Sequence, residues 1–568
     1  MSVQEVQAFA ALGLQDLTEG NCTVIFPDLV QLSKLGSSGT NKQNMSRDIE
    51  KYIESINYLP KPTMVDLPTK KQNELTGVML PHQIFSFLYE KYPTVFKKLF
   101  MPGGTQQIRD FWKQCSGAAC LQGQPCLRSL NRAKAIPIGV HGDEVPIAGR
   151  GKCWVKMAIM ISWFSLLSLQ ISAREGLLWI WAANPAQFKE GVEGTVHCFM
   201  EVLQWSIDVL FSGIWPSKDY RGIPYHPDSP EAKKSGSFLA GGHYCVLISL
   251  IGDLDYCNKF LGLPHWASAS QPCSRCRCKK QGPYTWKDSR LEAPWRETIY
   301  KTADWLASED RSRNPIFNAM NVTGLSAQPD LMHVKYLGYQ QFWLGSVLWM
   351  LVHELLPASP LANLRGIGLY VLRWQRRHNV SARFPLGSFQ KLSIFQRKKG
   401  YPKIRGKGAH VRHLGGALAA LWNKKMSPTN PNHVRVKLIF KLDLEIESIL
   451  NSYSPDSGCY ALPEPQALEV RAKQSQKAQL HQMLEEEYST ADVPLFNVTS
   501  KLHYSHHIMD DSRHLHPHLS WCWRGEDFMN VSSTLLSSCL RGRSDRQASI
   551  KALQKYSLGM QLAWEKVQ

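Results

Sequence analysis

The sequence lacks any apolar run long enough to cross a lipid bilayer. Its best candidate, residues 157–171, is shorter than the roughly 20 residues that a spanning helix needs. The first 20 residues contain three acids and no Lys or Arg, so the pattern of a secretory signal is missing. We therefore expect no membrane partner and no secretion, and we interpret the 14 cysteines as thiols or metal ligands rather than disulfides.

Acidic residues are scarce relative to basic ones. The chain has 47 Asp or Glu against 66 Lys or Arg, which gives a net charge of +19 and a pI near 9.3. A positive surface favours polyanions such as nucleic acid or an anionic membrane face. We therefore expect a nuclear protein, and otherwise a cytoplasmic one. Hydrophobic residues make up 43% of the chain, enough for packed cores, and 568 residues predict three or four domains.

Alternating strand-like and helix-like patterns predict a mixed α/β domain. The runs at 136–140 and 243–253 are rich in β-formers, whereas apolar residues in 196–215 recur at the intervals of a half-buried helix. Composition along the chain predicts five segments: an N-terminal region with a linker at 34–46 (1–134), the first part of the α/β core (135–263), a cysteine-containing helical insertion (264–390), a basic segment with a helix that returns to the core (391–427), and a helical, His-rich C-terminal region (428–568).

Two of the β-like runs each end in Gly-Asp, at Asp143 and Asp253. If neighbouring strands of one sheet carry them, the two carboxylates face each other, and such crowding is stable only with a proton or a cation between them. Mg²⁺ or Mn²⁺ supplies that cation, and two such ions about 4 Å apart can cleave a phosphodiester. The alternative is that each Asp is an ordinary turn residue at the end of a strand.

A Cys-x-x-Cys pair, Cys273 and Cys276, predicts half of a tetrahedral zinc site. His333 or the histidines of 410–413 could complete it. The alternative is a pair of free thiols in a basic loop, where neighbouring cations would lower the pKa of each thiol. The histidine-rich stretch at 503–518 could also bind metal, but we interpret it as a solvated polar segment.

The stretch from Lys391 to Leu414 contains no acid at all and predicts a DNA contact. Its cations would neutralise several phosphates and make binding dependent on salt. The alternative is an exposed loop of generic charge. The predicted DNA-binding residues are Lys391, Arg397, Lys398, Lys399, Lys403, Arg405, Lys407 and Arg412.

These motifs, in this order, resemble the catalytic region of CACTA-like DNA transposases, including the Plavaka-type elements. The resemblance covers roughly residues 135–422 and rests on Asp143 in HGDEVP, Asp253 in IGD, Cys273 and Cys276 in CSRC, and Asp330 and His333 in DLMH. It implies an RNase H-like mixed-sheet core that is interrupted by a mostly helical, zinc-stabilised insertion and flanked by helical regions. It also implies metal-dependent DNA cleavage and strand transfer by a protein that binds DNA and forms a homo-oligomer.

The resemblance also implies roles for individual residues. Asp143 and Asp253 correspond to two of the three acids that hold Mg²⁺ or Mn²⁺. Cys273, Cys276 and His333 would hold a structural Zn²⁺.

The third acid of the family should lie on a helix at about residues 407–422, where this chain has His410. Glu354, in the insertion, is the alternative acid. A neutral imidazole lacks the negative charge that Mg²⁺ favours. The sequence therefore predicts a transposase-like protein with His410 in the third catalytic position, and this position leaves open whether the chain itself catalyses the reaction.

Two further hypotheses stay open. One keeps the fold without the reaction, as a degenerate or domesticated DNA-binding protein. The other is a zinc-stabilised interaction protein unrelated to transposition, which predicts that Asp143 and Asp253 do not converge.

Overall fold

The computed structural model describes residues 7, 10–12, 14–15, 18–19, 27–34, 61–148, 155–309, 311–492, 494–540 and 545–567. Apart from Lys34, the predicted linker at 34–46 lies outside them. The described residues form a mixed α/β fold, as the sequence predicts.

Among the described residues, six strands form two sheets. The strands are β1 (Thr63–Pro68), β2 (Asn73–Val78), β3 (Ala135–Ala148), β4 (Val155–Ser165), β5 (Leu178–Ala183) and β6 (Tyr244–Ile251). The first two pair as an antiparallel hairpin, and the other four form a mixed sheet in the order β5-β4-β3-β6. In that sheet β3, β4 and β5 are antiparallel neighbours, and β6 runs parallel to β3.

Helices make up most of the remaining described structure. The first are α1 (Pro27–Lys34), α2 (Pro81–Lys91), α3 (Pro93–Phe100), α4 (Gly104–Cys115), α5 (Ala173–Gly176), α6 (Thr195–Ser212), α7 (Pro230–Lys234), α8 (Leu254–Lys259) and α9 (Thr302–Ala307). The later ones are α10 (Gln340–Met350), α11 (Pro360–Arg377), α12 (Gly408–Lys425), α13 (Pro431–Ser452), α14 (Glu464–Tyr488), α15 (Ser500–Asp511), α16 (Trp523–Cys539) and α17 (Asp545–Glu565). Among the described helices, none combines the length and the apolarity that a membrane span needs.

Helices cover both faces of the mixed sheet. In β5, Trp181 stacks on Phe199 of α6 with ring centroids 4.1 Å apart, while Trp179 meets Phe528 of α16 edge-on at 6.3 Å. The two tryptophans point to opposite faces because the register with β4 shifts between them, as at a β-bulge. Burial on both faces explains why β5 and β6 are apolar without alternation.

The helices that precede the sheet pack directly against it. The Phe100 ring of α3 lies 5.3 Å from the Trp163 ring of β4. Trp112 of α4 donates its indole N–H to the carbonyl of Ala135 at 2.7 Å. Residues 81–115 therefore share one hydrophobic core with the strands that follow.

A buried charge network holds the helical layer together. Lys335 lies on a π-helical segment, Met332–Tyr339, and its Nζ is 3.0 Å from Asp443 of α13. Lys477 of α14 binds the same carboxylate at 2.9 Å, and Glu447 pairs with both Lys335 and Arg412. Charged groups are rarely buried unless they are paired. The network thus ties the π-helical segment to α12, α13 and α14.

The helix that returns to the sheet is not the predicted one. The prediction placed it at about residues 407–422, which form most of α12. That helix packs against α11, α13 and the π-helical segment, whereas α16 packs against β3. The C-terminal segment therefore belongs to the sheet core, because its helix supplies the cover that β3 needs.

Candidate metal sites

Asp143 lies within β3, and Asp253 lies two residues beyond the end of β6, the parallel neighbour of β3. His141 of β3 pairs with Ile251 of β6. Asp143 comes two residues after His141, and Asp253 comes two residues after Ile251. Neighbouring strands are about 4.8 Å apart, so the two acids emerge side by side. The Asp253 carboxylate accepts a hydrogen bond from the Tyr256 backbone N–H at 2.6 Å and caps α8.

The glycine before each acid is explained by the same tyrosine. A Cβ added at Gly142 or at Gly252 would lie 2.3 Å from the ring of Tyr256. No side chain fits at either position while α8 packs here. Gly142, inside β3, and Gly252, just after β6, therefore allow this helix to approach both strands closely.

Glu526 brings a third carboxylate to this place from the first turn of α16. Its negative charge acts on the nearby Asp143 carboxyl and disfavours ionisation of that group. Burial, followed by the charges of Asp253 and Glu526, raises the pKa of Asp143 to about 7. Burial also raises the pKa of Glu526. Three crowded carboxyl groups of this kind are stabilised by bound cations.

His333 and Asp330 lie beside the three acids. His333 Nδ1 is 2.6 Å from Asp330, and its Nε2 is 3.7 Å from Glu526. Burial lowers the pKa of His333, but the hydrogen bond and charge of Asp330 and the charges of Asp253 and Asp143 outweigh burial and raise the pKa to about 9. We call Asp143, Asp253 and Glu526, together with His333, the acidic site.

A second, separate cluster could hold a metal such as zinc. It consists of Cys273, Cys276, His503 and His507, all buried, with ligand atoms within 4.8 Å of one another. The measured separations are 3.5 Å from Cys273 Sγ to His507 Nε2, 3.2 Å from Cys276 Sγ to His503 Nε2, and 3.1 Å between the two Nε2 atoms. Tetrahedral zinc with ordinary bond lengths puts such pairs about 3.6 Å and about 3.3 Å apart. The four residues therefore fit the ion.

The surroundings of the cluster also suit a metal. Burial raises the pKa of Cys273, but hydrogen bonds with Cys276 and Cys278 and the two neighbouring imidazoles lower it well below the usual range. A thiolate is the form that binds zinc. The indole ring of Trp295 covers the cluster, with its centroid 4.3 Å from that of His503.

Two predictions about histidines are corrected by this arrangement. His333 does not lie with the cysteines, because it belongs to the group with Asp330 and Cys522. The stretch at 503–518 is not a solvated segment, because His503, His506 and His507 of α15 are all buried. The spacing of His503 and His507 was an available signal, since residues four apart lie on one face of a helix.

The prediction for His410 is corrected as well. Its ring packs 5.4 Å from that of Phe384. Gly408, two residues earlier on α12, faces Trp523 of α16. Two residues correspond to about 200° around a helix, so His410 points away from α16. Glu526 occupies the place beside Asp143, and its local sequence, WRGED, carries no motif that identifies it.

The predicted DNA-binding residues mostly lie on the surface. Those that are exposed are Lys391, Arg397, Lys398, Lys399, Arg405 and Lys407. Lys403 is half-buried over the ring of Phe342 at 5.0 Å. Arg412 is a correction, because its guanidinium binds Glu447 at 3.2 Å and Asn451 at 2.8 Å instead of facing solvent.

Compared with known protein families and with curated proteins, the sequence matches none.

Proposed function

We propose that the protein is a transposase-like enzyme that cleaves DNA with two divalent ions held at Asp143, Asp253 and Glu526. The observation that carries the proposal is the convergence of these three carboxylates. Asp143 lies on β3, Asp253 follows the end of the parallel neighbour β6, and Glu526 comes from a helix packed on β3; the charges of Asp253 and Glu526 both act on Asp143. Placing three carboxylates close together costs free energy unless a cation is bound between them. A protein that only binds partners would gain nothing from this arrangement.

The sheet supports the same proposal. An RNase H-like core would have three antiparallel strands with a fourth beside the first and parallel to it, and the order β5-β4-β3-β6 agrees with this expectation. A parallel bridge between Leu250 and Ala327 extends the sheet on that side, and Asp330 follows it by three residues. We infer that residues 135–251 and α16 together form such a core.

In this proposal the acids position the ions and the substrate. Asp143 and Glu526 would share one ion, since their carboxyls already interact, and Asp253 would face the other. Bound Mg²⁺ or Mn²⁺ would lower the pKa of an attacking water and stabilise the leaving oxygen of the phosphodiester. Because α8 holds Asp253 by its cap, that carboxylate keeps its orientation before substrate binds.

Charge on the helical layer supports DNA as the substrate. Residues 355–442 contain 18 Lys or Arg and no Asp or Glu. They form α11, α12, the loop between them and the first half of α13, and many of their cations are exposed. The basic loop ends at Lys407, and the next residue, Gly408, packs on Trp523, three positions before Glu526. A DNA backbone on this surface is thus led towards the acidic site.

The zinc cluster would have a structural role. It joins the loop of Cys273 and Cys276 to α15, and four protein ligands leave no open position for a substrate. Zinc would therefore tie two distant parts of the long, mostly helical segment between β6 and α16 to each other.

The test is metal-dependent nicking of supercoiled plasmid DNA by the purified full-length protein. We expect nicking with Mg²⁺ or Mn²⁺, and a loss of at least about 100-fold in Glu526→Gln with unchanged DNA affinity. Asp527→Asn is the matched control, because this exposed acid is the next residue of the same helix. If the wild-type protein binds DNA but does not nick it with either Mg²⁺ or Mn²⁺, the protein is a DNA-binding protein without catalysis.

A further inference from the structure

Asp330 lies beside the acidic site, and its carboxylate accepts several hydrogen bonds. Its Oδ1 accepts the backbone N–H groups of Met332 and Cys522, each at 2.9 Å. Its Oδ2 accepts the backbone N–H of His333 at 2.9 Å and lies 2.6 Å from His333 Nδ1. Both oxygens are therefore occupied, and the residue is fully buried. Asp330 is an anchor whose hydrogen bonds fix the imidazole ring of His333.

This anchor decides which nitrogen of His333 faces the three acids. With the Nδ1–H donated to Asp330, Nε2 is the nitrogen that faces the three acids, 3.7 Å from Glu526 Oε1, and a bound ion would displace the proton that the raised pKa of His333 leaves on it. That distance is too long for a hydrogen bond. It is the spacing of two ligands on one ion, since ligand bonds of about 2.1 Å put neighbouring donors about 3 to 4 Å apart.

The contact from Asp330 to His333 is the usual support of a metal-binding histidine. Such histidines donate their second ring N–H to a carboxylate, which sets the tautomer and makes the other nitrogen a better ligand. The ring is half-buried, and its backbone lies at the start of the π-helical segment that Lys335 ties to α13. The imidazole is thus held in place before any ion arrives.

We propose that His333 Nε2 is a ligand of the divalent ion that Glu526 and Asp143 hold, and that this nitrogen makes the site prefer Mn²⁺ to Mg²⁺. The inference rests on the proposed function, because it assumes an ion among the acids. Mg²⁺ is a hard ion that takes oxygen ligands, whereas first-row transition ions accept imidazole as well. A site with one imidazole and several carboxylates therefore suits Mn²⁺ better.

The experiment measures ion binding directly, on the full-length protein with the zinc cluster loaded. Mn²⁺ is titrated and followed by electron paramagnetic resonance, and Mg²⁺ affinity is obtained by competition. Electron spin-echo modulation then reports whether a ¹⁴N nucleus is coordinated to the bound Mn²⁺. We expect ¹⁴N modulation in the wild-type protein.

Two variants carry the expectation. His333→Ala should lose the modulation and about 100-fold in Mn²⁺ affinity, with less than a threefold change for Mg²⁺. Asp330→Asn, which weakens the anchor, should lose about tenfold in Mn²⁺ affinity. His226→Ala, at an exposed histidine, is the matched control and should change neither ion. Thermal unfolding of each variant shows whether the fold is retained.

The outcomes separate this inference from the proposed function. Tight Mn²⁺ binding that depends on Glu526 but shows no ¹⁴N modulation, or that survives in His333→Ala, would overturn the role of His333 and leave the acidic site standing. Equal losses for Mg²⁺ and Mn²⁺ in His333→Ala would overturn the preference. Failure of the wild-type protein to bind either ion at the acids would overturn both proposals together.

Discussion

Replacing Gly525 with alanine should displace the helix that carries Glu526. A Cβ added at this position would lie 2.1 Å from Nε2 of His141, 2.3 Å from its Cε1 and 2.4 Å from its Cδ2. His141 lies on β3, two residues before Asp143 and on the same face of the strand. Its side chain is 1% exposed, so the ring has no path to solvent. The clash therefore has to be relieved by moving α16 away from β3.

The size of the effect follows from these distances. Carbon atoms in ordinary contact are about 3.5 to 4.0 Å apart, so α16 has to retreat by about 1.5 Å. Overpacking of this kind costs about 1–3 kcal/mol, which a protein of this size tolerates. A misplacement of about 1 Å at a catalytic group costs about 100-fold in rate. We expect Gly525→Ala to nick DNA about 100-fold more slowly, with unchanged DNA affinity because the basic surface is untouched.

The assay is plasmid nicking under Mn²⁺, with DNA binding measured in parallel. Gly366→Ala is the control, since an added Cβ on this exposed glycine of α11 meets no atom within 4 Å. In a His141→Ala background the ring is gone, so Gly525→Ala should then cost little, and the two changes should be strongly non-additive. A nicking rate of Gly525→Ala within threefold of wild type, or equal losses in both backgrounds, would refute the packing argument.

Two further predictions concern stability. Cys276→Ser should lower zinc affinity about 1,000-fold, which removes about 4 kcal/mol of stabilisation at a fixed zinc concentration. Zinc content by mass spectrometry and the midpoint of urea unfolding measure the two effects, with Cys459→Ser as the control. An unchanged zinc content in Cys276→Ser would contradict the prediction. Burial lowers the pKa values of His82 and His481 to about 3, so the fold keeps both neutral while the unfolded chain binds protons below its pKa of about 6.5. Stability is therefore lost as the pH falls below about 6.5, by about 2 kcal/mol per histidine at pH 5. Urea unfolding at pH 7.5 and at pH 5 measures the loss of stability. His481→Leu should lose about 2 kcal/mol less between the two pH values than the wild-type protein. An equal loss in His481→Leu and in the wild-type protein would show that burial of His481 is not a cause.

Local pattern in the sequence determined several parts of the candidate sites. The β-like runs before Asp143 and Asp253 predicted two buried strands. The second Gly-Asp pair follows the end of β6 as expected, whereas the first lies inside β3, which continues to Ala148. Cys273 and Cys276 predicted half of a metal site, because two thiols on one turn are already close in space. The acid-free stretch at 391–414 predicted a DNA contact, which stays a prediction; most of its cations are exposed. In each case the interacting groups are near neighbours in the chain, so periodicity and spacing carry the information.

Only the tertiary structure decided which distant residues complete each site. The sequence pointed to His410 for the third acid and to His333 for zinc, whereas packing brings Glu526 to Asp143, and His503 and His507 to the cysteines. A helix pattern records which of its faces is buried but not which strand or loop that face meets. The choice of α16 over α12 as the cover of β3 depends on shape, down to the missing side chain of Gly525 against His141. Such complementarity arises between surfaces that are far apart in the chain, and no local spacing encodes it.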